Sequence, residues 1–91
     1  MTPKQAELLQ MVNEQDGYGF DFHRRSDGTV KLGSVYVLLS QLRDKGFVGS
    51  KEVPPEPGKR GPAKVVYHAT ERGTQALDLW TQLKALETQE R

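Results

Sequence analysis

The chain of 91 residues has no cysteine, which excludes disulfide staples and thiolate metal sites. It has two histidines, His23 and His68, too far apart in the sequence to read as a ligand pair. No apolar run approaches the roughly 18 residues that a membrane span requires, and no signal-peptide pattern precedes the first helix. The expected compartment is the cytoplasm, with no membrane partner. Nucleotide motifs are missing as well. Gly58 and Gly61 are too close for a Walker loop and are followed by Pro62, while "GYGF" (17–20) lacks the strand and spacing of a dinucleotide fingerprint. No serine sits in an elbow motif and no carboxylate pair stands out. These absences leave no catalytic residue, no metal and no cofactor to propose, so the chain is not expected to be an enzyme.

What is present is an ordinary globular composition, 35% hydrophobic and 27% charged, enough for one domain with a modest core. The net charge is only +1, but it is unevenly spread. Residues 23–64 hold nine Lys/Arg against four acids, a local excess of +5 that leaves −4 for the two ends. An anionic partner would bind in the middle.

Thr2-Pro3-Lys4-Gln5 reads as a helix start, with Thr2 as cap, Pro3 in the first turn and Gln5 completing a capping box. Leu8, Leu9 and Val12 give that helix an apolar face, and it should run to about Gln15. "YGFDFHRR" (18–25) is expected to form a short second helix, closed by the turn signal Asp27-Gly28. In "LGSVYVLLSQLRDKGF" (32–47), Val35, Leu38, Leu39 and Leu42 fall at i, i+3, i+4 and i+7, a single helical stripe. Ser34 is the expected cap and Lys45-Gly46 the stop, giving a third helix over 34–45. With that stripe turned inward, Tyr36, Val37, Ser40, Gln41 and Arg43 form an outward face suited to reading a partner. Asp44 is expected at the far end, turned aside.

Two β-like runs follow, 47–53 and 63–69, joined by "PPEPGKRGP" (54–62). Four prolines and two glycines cannot continue a ladder, so this segment is the stiff tip of a hairpin. Thr70 is placed to cap a last helix, along which Ala76, Leu77, Leu79, Trp80, Leu83 and Leu86 form a wide apolar band. The predicted fold is mainly α with a small antiparallel β-hairpin. The order of three helices, a hairpin wing and a fourth helix is that of a winged helix-turn-helix with a C-terminal dimerisation helix. Residues 1–70 would form the DNA-binding part and 71–91 the dimerisation helix of one continuous domain.

This arrangement suits double-stranded DNA. Lys59, Arg60 and Lys64 on a stiff hairpin can neutralise phosphates, which sets affinity and register. Ser34, Tyr36, Val37, Ser40, Gln41 and Arg43 belong to the helix that would enter the major groove, where Ser40 and Gln41 can bond base edges and Arg43 a guanine or a phosphate. A chain this small would struggle to cover its last apolar band alone, so Leu77, Trp80, Leu83 and Leu86 are expected at a homodimer interface. The competing reading is a winged-helix adaptor that grips a protein instead of DNA.

Three blocks of the sequence also resemble the PadR-like bacterial transcriptional regulators, over roughly residues 16–77. "GYGF" is similar to the family's His-Gly-Tyr motif, with Asp16 in place of the histidine. "GSVY" (33–36), with Leu39, Leu42 and "KGF" (45–47), resembles its Gly-Thr-Leu-Tyr-Pro third helix and the exit into the wing. "GPAKVVYHATERG" (61–73) is similar to its wing strand and the start of its fourth helix. The resemblance implies a homodimeric DNA-binding repressor whose last helix packs on the partner subunit, with Ser34, Tyr36, Lys59 and Lys64 at DNA-contacting positions. Val37 stands where the family usually has proline. Ala63 stands where arginine is common, so that one wing contact is lost or passes to Arg60. The chain resembles the small members, with no added C-terminal domain. The resemblance further offers Trp80 as a surface for a flat aromatic effector at the dimer centre, set against plain interface packing.

Overall fold

The hairpin and the last helix both spring from one three-helix core. In a computed structural model, which describes residues 1–58, 60–61 and 63–89, the order is α1 (Pro3–Glu14), α2 (Gly19–Arg25), α3 (Leu32–Asp44), β1 (Val48–Val53), β2 (Lys64–Ala69) and α4 (Glu71–Gln89). The strands pair antiparallel from Val48↔Ala69 to Val53↔Lys64. Gly17 forms an isolated bridge to Tyr67, so a short piece of the α1–α2 connection lies against the free edge of β2.

The capping box of α1 is present as the sequence predicts. The Thr2 hydroxyl accepts from the Gln5 backbone N–H (3.2 Å), and the Gln5 side chain accepts from the Thr2 N–H (3.1 Å). The start of α3 differs from expectation. Its N-cap is Lys31, whose extended backbone brings the Lys31 carbonyl to the Val35 N–H (3.0 Å) with no side-chain cap. Ser34 is therefore not the cap but the third residue of the helix, and α3 spans 32–44 rather than 34–45. The reason lies in the turn before it. Asp27 and Gly28 take φ of 56° and 81°, and Val30 is buried, so the chain enters the helix two residues early. The Ser26 hydroxyl donates to the His23 carbonyl and accepts from the Val30 N–H, and His23 Nδ1 donates to the Val30 carbonyl (2.7 Å).

The core unites Leu8, Leu9 and Val12 of α1, Phe22 of α2, Val35, Leu39 and Leu42 of α3, and Val30 and Val48. Leu38 and Leu77 pack against its edge. Arg25 helps close it. Its guanidinium donates to the Gln15 carbonyl (2.9 Å) beyond the end of α1 and lies 5.1 Å from the Phe22 ring.

The root of α4 is fixed by two residues. The Thr70 hydroxyl accepts from the Gly73 N–H (3.0 Å), capping the helix, and donates to the Gly46 carbonyl (2.6 Å) at the exit of α3. Gly73 is buried where a Cβ would run into the Phe47 carbonyl oxygen, so no larger residue fits without a backbone shift. Beyond Trp80 the helix leaves the body: residues 81–87 are all exposed. Among the described residues no helix is long and apolar enough to cross a membrane.

Candidate nucleic-acid interface

The outward side of α3 is bounded by a different neighbour on each flank. With 3.6 residues per turn, Gly33, Val37, Ser40 and Asp44 follow one another along its outermost line. Val37 is 57% exposed and Ser40 is also exposed. Asp44 continues the same line at the C-terminal end, so it is not turned aside as the sequence reading expects. A carboxylate there would repel an anionic partner at that end of the helix.

On one flank stands Tyr36, 49% exposed, its ring laid on Gly19 at the start of α2. A Cβ at Gly19 would come within 2.5 Å of that ring, so the glycine is what lets α2 and α3 approach here. Arg43 lies two turns further along this side and is exposed. On the other flank Ser34 and Gln41 face α1. Gln41 is exposed, yet its Oε1 accepts from Gln5 Nε2 (2.9 Å).

The wing meets the Tyr36 flank. Lys64, the first residue of β2, holds its ammonium 5.2 Å from the centre of the Tyr18 ring. A shallow hollow between wing and helices is lined by Tyr18, Phe20, Arg24, Tyr36 and Lys64. Arg60 is exposed on the hairpin tip, between Gly58 (φ 83°) and Gly61 (φ 151°). Lys59 lies outside the described residues.

Ser34, Tyr36, Val37, Ser40, Gln41 and Arg43 thus share one helix surface, and Lys64 adjoins it across the Tyr36 flank. Phe20, 52% exposed under the Arg24 guanidinium (5.8 Å), and Tyr18 join the same area. Neither is singled out by the sequence, because only the approach of α2 to β2 brings them there. The alternation of Tyr18, Phe20 and Phe22 was their one available signal. Not every cation of the basic middle is available to a partner: Arg24 also pairs with Asp21 (3.1 Å), and Arg25 serves α1.

On α4 the apolar band divides. Leu77 is turned into the chain's own core, while Leu79, Leu83 and Leu86 are 66%, 52% and 60% exposed. Trp80 is half-buried, with the Lys84 ammonium 4.8 Å from its ring centre.

A search of curated protein sequences found no match. Among solved structures, Bacillus subtilis PadR in complex with operator DNA is similar over 89% of this chain and 48% of its own, at 21% identity and a TM-score of 0.78. A PadR family transcription regulator from Clostridium difficile is similar over 92% of this chain and 88% of its own, at 17% identity and a TM-score of 0.76. The reduced form of the regulator YodB from Bacillus subtilis covers 98% of this chain with 81% of its own, at 16% identity and a TM-score of 0.78. Such identities speak to the fold, a winged helix with a long final helix. The sequence itself speaks to the family, since the pattern described as "Transcriptional regulator PadR-like family" matches residues 8–79. Spanning most of its length, that match means the chain belongs to the PadR-like family of transcriptional regulators.

Proposed function

We propose that this protein binds operator DNA as a homodimer and represses transcription from it. Residues 1–70 would form the DNA-binding part, with α3 in the major groove and the wing tip, Lys59, Arg60 and Lys64, on the phosphate backbone. The observation that carries the reading is the continuity of the α3 surface with the wing across Tyr36 and Lys64: one face offers both base-edge and phosphate contacts. The similarity to a PadR bound to operator DNA supports it. A regulator of this kind acts in the cytoplasm and is not an enzyme.

The homodimer rests on the uncovered face of α4. Ala76, Leu79, Leu83 and Leu86 repeat at intervals of three, four and three, the seam of paired helices. Residues 71–91 would supply the interface, with Trp80 at its margin and Leu77 anchoring the helix to its own subunit. Two-fold symmetry would then set the reading helices about 34 Å apart, one turn of DNA. A flat aromatic effector would stack on the Trp80 face that Lys84 leaves open. Quenching of this sole tryptophan by planar dyes tests that point, and unchanged emission at saturating dye removes it.

The decisive experiment is binding to labelled duplex of mixed sequence across a salt series, alongside Lys59→Glu/Arg60→Glu. Affinity should fall steeply with salt, and the double variant should flatten the slope by about two counterions if each cation meets one phosphate. Absence of binding even at low salt would overturn the DNA reading in favour of a protein-binding adaptor.

A further inference from the structure

Gln5 is buried, 7% exposed, and belongs to α1, yet it reaches a residue of the proposed reading helix. Its amide is held at both ends. The Thr2 backbone N–H points at one end, and a backbone N–H can only donate, so the Gln5 atom facing it is the oxygen (3.1 Å). The other end is then Nε2, which can only donate, so the Gln41 atom it meets at 2.9 Å is Oε1. Amide orientations are ordinarily ambiguous, but here turning either one would set N–H against N–H. The Gln41 Nε2 remains, with two N–H groups and no protein partner among the described residues.

From this we infer that Gln5 sets the polarity of Gln41 and presents its NH2 end, as a hydrogen-bond donor, to base edges, an inference that rests on the DNA-binding role proposed above. Glutamine reads adenine by using its oxygen and nitrogen together, accepting from N6 and donating to N7. Gln41 has its oxygen turned onto Gln5, so the nitrogen with its two hydrogens is the end left for a base. Guanine, with N7 and O6, and thymine, with O4, present acceptors to match. Cytosine presents only the N4 amino donor and is rejected. The selectivity of a surface side chain is thus dictated by a helix cap on another element. Gln5 is a positioning residue in this scheme and touches no DNA.

Two readouts test it. In the free protein, side-chain amide NMR should show the Gln5 NH2 protected from exchange and the Gln41 NH2 unprotected. Gln5→Glu keeps the capping box, because glutamate also serves at that position. Its carboxylate can only accept, so Gln41 must turn to donate to it; its NH2 should become the protected one and its oxygen should face outward. In selection from randomised duplexes, the wild type should favour guanine or thymine over cytosine at one position, on the order of tenfold. Gln5→Glu should move that preference to cytosine or adenine, Gln5→Met should flatten it, and Gln41→Leu should abolish it at the same position. A base profile unchanged by Gln5→Glu, or a uniform loss across all sequences as for a phosphate contact, would overturn the inference while leaving DNA binding intact. If the NMR polarity is found but the wild type binds no duplex at low salt, the DNA reading itself falls and takes the reader role with it.

Discussion

Helices α3 and α4 carry leucines and other apolar residues at similar spacing, but their fates are opposite. In α3 the stripe Val35, Leu39 and Leu42 is fully buried and the opposite side is largely polar. In α4 only the root packs inward, through Gly73 and Leu77, while Leu79, Leu83 and Leu86 stand in solvent. An amphipathic period says that a face needs covering; it does not say whether the cover lies in the same chain. The apolar face of α3 is completed by its own chain, whereas most of that of α4 is left uncovered.

Substitutions sharpen that contrast. The largest effect is expected from Leu39→Ala, which should cost about 2–5 kcal/mol of stability in urea unfolding, as for other fully buried leucines. Next comes Gly73→Ala at about 3 kcal/mol, the upper part of the overpacking range, because carbonyl backbone rather than a movable side chain blocks the added methyl. Thermal unfolding would show it as a fall of roughly 12–24 °C. Leu83→Glu with Leu86→Glu should leave the far-UV circular dichroism of the subunit nearly intact and instead halve the mass by light scattering, with weakened DNA binding in gel shifts. Should that pair destabilise the subunit in urea as much as Leu39→Ala, the two helices are not different in the way described. The smallest effect is Thr70→Ala, about 1 kcal/mol for the lost cap, again by urea unfolding.

Much of this was legible in the sequence, and the part that was not has a common cause. Thr2, Gln5 and Thr70 were readable as caps because their side chains do the capping. Lys31 was not, since its carbonyl and extended backbone start α3 without side-chain help, and Ser34 next to Gly33 offered a more familiar start. The band on α4 was legible as apolar, but Leu77 and Leu79 differ only in which neighbour lies beside them, and α1 decides that. The same holds for the site. Outward positions on α3 follow from its period, whereas the seat of Tyr36 on Gly19, the Tyr18–Lys64 contact and the Gln5–Gln41 bond are meetings between distant segments. Local pattern fixes the faces of elements; their introductions to one another are made by packing.

The hydroxyl of Thr70 has one more consequence. It joins the carbonyl at the exit of α3 to the first turn of α4, within a corner where Gly73 leaves no room for a larger side chain. A helix of 19 residues is about 28 Å long, so a tilt of about 10° at that corner would swing its far end by about 5 Å. In the proposed dimer the far end belongs to the interface and the near end to the DNA surface. In that dimer the corner would act as a protractor: it would set the angle that becomes, at the other end of the lever, the distance between operator half-sites.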